Sequence, residues 1–382
     1  MAIAGEKYTV ESRTRDSDQE LVGFFKRAYA GEYNSYDYRS DRAIFERIKW
    51  QNDTNPSMVP GGRTEWICRS MNSGRIAGHF AVMPVALKAG GSYIRAAWGR
   101  DFVVSPELRG TGAGTFLLNK AIAYAKDKYE AILLAGVGNR SYGIFRKIGF
   151  RETGRIPAHV LIFDADKVAS CLAGNVIASN ILAGGLKFVR SAFAGRLRKK
   201  ASAGGVSISP VSSFDNEFDG MWADSSHGFN VSVRRDRAFL DWRFTKCPAG
   251  GYSVFSARDS ASGKLRGYIA LRRGLARGIH TGVITDIFAR RDDRETIEAL
   301  VEHAVGYFRS MRDIDMVRCD IMGRIFVSAL TRLGFFRVPS SSRLMYLSSD
   351  ESISSLLSDD SNWFITYADS DLDLSGSREE DL

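Results

Sequence analysis

The chain has 382 residues, 44% hydrophobic and 25% charged, with a formal net charge of +9. That length predicts about two to three cores rather than one. Cys68, Cys171, Cys247 and Cys319 lie far apart, without a CxxC pair or metal-ligand spacing to the five histidines, which excludes a disulfide scaffold and a zinc module and predicts no metal. Reduced packing cysteines, an N-terminus lacking a secretion pattern and the absence of an apolar run of about eighteen residues predict a cytoplasmic protein. Its arginines are dispersed rather than striped, so no nucleic-acid partner is expected.

In chain order, Tyr8 to Val10 reads as a strand and Leu21 to Tyr29 as an amphipathic segment. A polar loop with Tyr33, Tyr36 and Tyr38 follows, open to two readings: a lid over a substrate or a cap on a sheet edge. Ile44 to Trp50 is a second apolar segment. Trp66 to Ser70, Gly78 to Met83 and Ser92 to Val104 then read as consecutive antiparallel strands, with Asn72-Ser-Gly74 turning between the first two.

The last of these strands runs through Asp101, Phe102, Val103 and Val104 and stops at Pro106. It passes through Arg109-Gly110-Thr111-Gly112-Ala113-Gly114 into a segment with apolar residues at Leu117, Leu118, Ala121, Ile122 and Ala125. That spacing is helical, so the stretch is strand, glycine turn, helix. Glycines before a helix start leave backbone N–H groups and the positive end of the dipole open to an anion, which suits phosphate. The spacing fits neither a G-x-G-x-x-G dinucleotide turn nor a P-loop, which would carry Lys-Ser/Thr after its last glycine.

Val104-x-Pro-x-x-Arg-Gly-x-Gly-x-Gly114 resembles the acyl-CoA pyrophosphate loop of the GNAT N-acyltransferase superfamily. The strand Ala131 to Val137, Asn139 and the closing Lys147-Ile-Gly-Phe150 resemble the family's second motif. The resemblance implies an α/β (α+β) fold with a mixed, mostly antiparallel sheet flanked by helices, and transfer of an acyl group, most simply acetyl from acetyl-CoA, to a primary amine. It assigns the pyrophosphate to the amides of Arg109, Gly110, Thr111, Gly112, Ala113 and Gly114. The pantetheine pairs with the main chain of Phe102, Val103 and Val104, and Asn139 touches the cofactor arm. The family's thiol-protonating tyrosine falls at Phe145, which has no hydroxyl. Tyr142, about one helical turn earlier, is the substitute, with a core or surface tyrosine as the other reading. Asp101 is the nearest carboxylate and a candidate base, and His79 a further one; a water-mediated base stays open.

The same features occur twice along the chain. Trp50 and Trp242 each precede a proline (Pro56, Pro248) by the same interval. Asp101 to Gly149 and Asp286 to Gly334 are equal intervals, each ending in apolar-Gly-Phe. The same offset carries Arg109, Gly112 and Gly114 onto Arg294, Ile297 and Ala299, beside Glu295 and Glu298, whose charges would repel phosphate. A tandem duplication with a degenerate second copy is expected: 1–164 as a first GNAT-like domain, 206–370 as the second, and 371–382 as a disordered acidic tail. Between them, 165–205 is an amphipathic, basic linker. Its stretch 176–200 is either a helix on an anionic membrane or an interdomain helix packed on its own protein; Ser179, Asn180, Gly184 and Gly185 favour the second. The tandem layout is similar to acetyltransferases of bacterial surface-polysaccharide pathways, which makes an amino-sugar nucleotide the first expected acceptor, and to mycothiol-synthase-like enzymes. A longer acyl chain, an amino-acid or peptide amine, and a non-catalytic CoA-binding module are the alternatives.

Overall fold

The computed structural model describes residues 7–29, 40–173, 176–194 and 205–374. The tyrosine loop, the basic run Arg196 to Lys200 and the tail after 374 lie outside the described residues.

Strands β1 (Tyr8–Ser12), β2 (Glu65–Ser70), β3 (Ile76–Ala89), β4 (Ser92–Val104), β5 (Ala131–Ala135) and β6 (Arg151–Arg155) make up the first copy. Helices α1 (Asp18–Ala28) and α2 (Asp41–Asp53) precede β2, α3 (Ala113–Lys126) joins β4 to β5, and α4 (Asn139–Ile148) joins β5 to β6. Then come β7 (Ala158–Ile162), α5 (Ala165–Leu172) and α6 (Val176–Ala194). The second copy contains β8 (Val206–Pro210), α7 (Asn216–Ser225), β9 (Val231–Val233) and α8 (Arg237–Leu240), which runs into a π turn at Asp241–Thr245. It continues with β10 (Ser253–Asp259), β11 (Leu265–Ala276), β12 (Ile279–Ala289), α9 (Arg294–Ser310), β13 (Met316–Met322) and α10 (Arg324–Arg332). β14 (Phe336–Val338), β15 (Arg343–Leu347), α11 (Glu351–Ser358) and β16 (Ile365–Thr366) complete it.

Two sheets result, ordered β1-β2-β3-β4-β5-β15-β6 and β14-β7-β13-β12-β11-β10-β8. Only β4 with β5 and β12 with β13 pair in parallel among these neighbours. Each copy is therefore the mixed, mostly antiparallel sheet with flanking helices that the resemblance implies. The recurring Gly-Phe turns have a common cause. Gly149 (φ 110°) and Gly334 (φ 88°) end α4 and α10 in the left-handed region. Phe150 and Phe335 then donate back to Phe145 and Leu330 at 3.0 Å each, the double-turn cap that glycine permits.

The copies exchange strands. β15 of the second copy lies between β5 and β6 of the first, while β7 of the first lies between β13 and β14 of the second. β9 adds itself to β3. One core consequently runs through both copies, joining Trp50, Met83, Trp98 and Leu133 to Phe239, Trp242, Phe288 and Phe364.

Trp50 and Trp242 meet at the centre. Their rings stack at 4.5 Å, Trp50 Nε1 donates to Trp242 O at 2.9 Å, and Trp242 Nε1 donates to Trp50 O at 3.1 Å. Such reciprocity is what a local two-fold axis produces. Trp242→Ala is expected to cost roughly 3–5 kcal/mol, read as a lower urea midpoint of a transition that stays single.

Candidate functional site

β4 pairs with β5 only from Ala96 to Trp98. Beyond Trp98 the two strands part, so the main chain from Gly99 to Val104 faces an opening on that side. On its other side β4 carries a bulge: Asp101 and Phe102 together oppose Phe80. Asp101 takes φ 50°, an arrangement that strains a non-glycine residue by roughly 1–3 kcal/mol and re-aims the chain. Main-chain donors and acceptors are thus presented to an extended ligand without a competing strand.

At the far end of this edge stands the glycine loop. Gly110 (φ 80°) and Gly112 (φ 94°) hold left-handed backbone, and Gly112, the N-cap of α3, has no side chain to cap the helix start. A Cβ on Gly114 would sit 3.1 Å from both Phe102 Cζ and Val104 Cγ2, so glycine lets the helix approach the strand. Tyr8 Oη meets Thr111 Oγ1 at 2.9 Å, and Thr111 Oγ1 donates to Leu108 O at 2.7 Å, which fixes the loop. Arg109 is exposed beside it. The helix itself is fixed by its apolar face, with Leu117, Leu118, Ala121, Ile122 and Ala125 all buried.

Asp101 is not a free base. Its carboxylate is held by Arg47 at 3.0 Å and Arg100 at 2.6 Å. Arg100 also binds Glu65 at 2.8 Å, and Arg13 joins Glu65 and Asp18. Burial alone would raise the Glu65 carboxyl, but the Arg100 and Arg13 guanidiniums hold it below its usual value.

His79 is fully buried, with Nδ1 3.2 Å from Asp101 O and its ring edge-on to Phe25 at 4.9 Å. Burial lowers its pKa against the pull of Glu65 and Asp101, so it is neutral and props the bulge. Because its folded pKa lies below the unfolded one, the unfolded chain takes up the proton first on acidification. Stability therefore falls as the pH drops below about 6.5. His159 and His303 are lowered the same way. Urea titrations between pH 7 and 5 should show this slope, smaller but not abolished in His79→Gln.

α4 begins at Asn139, whose side chain is exposed, and Tyr142 lies half-buried in its first turn. Phe145 is buried, edge-on to Phe102 at 5.5 Å and to Phe150 at 5.4 Å; a hydroxyl there would have no wet side. The Arg343 guanidinium lies 4.8 Å from the Tyr142 ring centroid and donates to Val137 O at 3.2 Å. Arg343 opens β15, so the exchanged strand carries a second-copy cation to this end of the first copy.

The C-terminal segment supplies what sequence reasoning missed. The run Asp369, Asp371, Asp373 reads as solvated acid, yet all three are bonded to arginines. Asp369 binds Arg235 at 2.7 Å, Asp371 binds Arg47 at 2.5 Å, and Asp373 binds Arg243. Leu372 packs where a Cβ on Gly136 would fall, 2.6 Å from its Cδ2. Gly136 directly follows β5, and Arg47 carries Asp101 of β4, so residues 371 and 372 bridge the mouth between the parted strands.

Among the described residues the linked cluster holds Arg13, Arg47 and Arg100 against Asp18, Glu65, Asp101 and Asp371. With His79 neutral, carboxylates outnumber guanidiniums by one. Asp371 is the most exposed member, at 19% against 11% or less for the others.

The second copy differs at both ends. Its slot beyond the β12–β13 pairing is filled by β16, which pairs with Ile321 and Met322, and Phe364 packs on Phe229, Phe288 and Phe326. The equivalent helix start is closed as well. Asp293 caps α9 through Thr296 N at 3.1 Å, and Arg266 pairs with Asp293 and Glu295. Asp286, the counterpart of Asp101, is held by Arg235 at 3.1 Å.

Residues 19–150, which contain the parted strands and the glycine loop, match the model of the Acetyltransferase (GNAT) family. Over that stretch the N-terminal copy is similar to the GNAT family. An uncharacterized N-acetyltransferase of Methanocaldococcus jannaschii is 26% identical over 148 residues; the match covers 38% of this chain and 61% of that protein. Solved structures extend the GNAT likeness to both copies. A probable N-acyltransferase of Enterococcus faecalis superposes with a TM-score of 0.60 at 15% identity, covering 89% of this chain and 72% of that one. Saccharomyces cerevisiae N-myristoyltransferase with bound myristoyl-CoA gives 0.55 at 10% identity, covering 89% and 82%. At these identities the structures speak for the fold, here a tandem GNAT-like pair.

Proposed function

We propose that the chain is an N-acyltransferase that moves an acetyl group from acetyl-CoA to a primary amine, with both bound together in the first copy. The observation that carries this reading is the uncapped, glycine-lined start of α3 beside a β4 edge that β5 leaves unpaired. The amides of Arg109 to Gly114 hold the pyrophosphate, with Arg109 adding charge. Phe102, Val103 and Val104 align the pantetheine as an added strand, and Asn139 borders it. Acetyl-CoA brings an activated thioester carbonyl, so what remains for the protein is to place the ammonium where it loses its proton to water, polarise the carbonyl through a β4 amide as the freed amine attacks and the C–S bond breaks, and give a proton to the leaving thiolate. Tyr142 is the proton donor in this reading. Asp101, fixed by two arginines, sets the bulge and the local field, while Asp371 faces the incoming ammonium.

The second copy, with its slot filled and its helix start capped, acts as wall and clamp. The same filled slot disfavours a reading with two active sites.

Release of free thiol from acetyl-CoA tests this with a panel of primary amines that includes amino-sugar nucleotides, amino acids and peptide amines. Myristoyl-CoA run in parallel probes chain length. Turnover that falls with Asp371→Asn, through a KM for the amine raised roughly 10–100-fold as expected for a lost charged contact, supports both the reaction and the role of Asp371. Acetyl-CoA binding without release on any amine would make the chain a CoA-binding module.

A further inference from the structure

Helix α6 is apolar on two faces and covered on one. Ala183 is buried and Leu186 packs against the small core of Val160, Ile162, Val168, Ile279 and Met316. On the opposite face Ile177, Ile181 and Phe188 are 74%, 74% and 75% exposed. They follow one another at spacings of four and seven, and Gly184 and Gly185 fall on the same arc. The polar interruptions, Ser179 and Asn180, lie off this arc, so they leave the outward stripe continuous. Two more exposed apolar residues lie on other elements: Leu172 at the end of α5, and Leu275 in the β11–β12 hairpin, whose Gly278 adjoins Cys171. Large side chains left in water in a row mark a surface that something covers.

The charge of this part of the chain identifies the cover. From Lys167 to Phe214 there is no aspartate or glutamate, while Lys167, Lys187, Arg190, Arg196, Arg198, Lys199 and Lys200 are all present. Lys187 lies on the flank of α6, paired with Asp166 across exposed surface. An apolar stripe in a stretch with an excess of positive charge complements a layer of anionic headgroups over hydrocarbon, and a helix of this kind lies in the interface rather than across it. No described helix is long and apolar enough to cross a membrane.

We propose that α6 seats the protein on an anionic membrane surface, with Ile177, Ile181 and Phe188 entering the headgroup layer and the excess positive charge of this part of the sequence supplying the attraction. This inference is independent of the acyl-transfer reading. The test is co-sedimentation of the full chain with vesicles of phosphatidylcholine alone and of phosphatidylcholine with phosphatidylglycerol, at low and high salt. Binding is expected on the anionic vesicles only and weakens with salt. In the double variant Ile181→Asp, Phe188→Asp it falls by at least roughly tenfold, since two large apolar contacts are lost. Circular dichroism melting checks that the variant keeps its fold, which the exposure of both positions predicts. Three results would overturn the proposal: no binding to anionic vesicles at low salt, binding that the double variant retains in full, or a wild-type dimer in ultracentrifugation that the variant converts to monomer, which would make a second copy of this chain the occupant.

Discussion

Separated at residue 205, neither half of the chain is expected to fold alone. The first half would lack β15, which fills the space between β5 and β6 with Leu344, Met345 and Tyr346, all essentially buried. Full burial of such side chains is worth roughly 1.5–3 kcal/mol each, so their loss approaches the 5–15 kcal/mol that holds a whole domain. Two unpaired strand edges would also remain, with open main-chain groups that recruit other chains. The second half would lose β7 from between β13 and β14, and Trp242 would lose Trp50. Expressed separately, 1–205 and 206–382 should be insoluble or melt without a cooperative transition, whereas co-expression should return a complex that melts once, as is expected of the intact chain. A soluble 1–205 with a sharp transition and an acetyl-CoA site of its own would show the exchanged strand to be dispensable.

Much of this architecture was readable in the residues. The glycine loop, the stripe from Leu117 to Ala125 and the paired Gly-Phe turns each depend on local rules, and equal intervals between them are enough to expose the duplication. The strand exchange was not readable. β7 and β15 are short apolar runs that satisfy a central position in either sheet, because a strand's pattern specifies which face is buried and not which neighbour it takes. The C-terminal aspartates misled for a related reason: a D-S-D-L-D run carries no mark of its partners, and Arg47, Arg235 and Arg243 lie far back in the chain. One clue was available. Arg235 and Arg243 stand among Val231, Val233, Phe239, Leu240, Trp242 and Phe244, and a guanidinium buried in such company requires a carboxylate. In the linker, Ser179, Asn180, Gly184 and Gly185 favour a helix packed on its own protein. The fold shows that such packing uses one face and leaves the more apolar one outside.

Gly112→Glu is expected to abolish acetyl-CoA binding while leaving the fold largely intact, and the two effects have separate causes. At φ 94° a side chain strains the backbone by roughly 1–3 kcal/mol. That cost is partly offset, because a carboxylate at the uncapped start of α3 interacts favourably with the helix dipole. The same carboxylate then occupies the position proposed for the pyrophosphate, and juxtaposed like charges cost several kcal/mol, roughly a hundredfold or more in affinity. Calorimetric titration should find one acetyl-CoA per wild-type chain and none in the variant, with a melting temperature only a few degrees lower. Asp293→Ala in the second copy, which uncaps α9 but leaves β16 in the slot, should not add a site. Two sites in the wild type would mean that Trp363 to Thr366 withdraw from between β12 and β13 in solution. Undiminished binding in Gly112→Glu would move the phosphate site away from α3 altogether. A single site lost in one variant and indifferent to the other would place the donor in the first copy, and with it the mouth that Asp371 and Leu372 close.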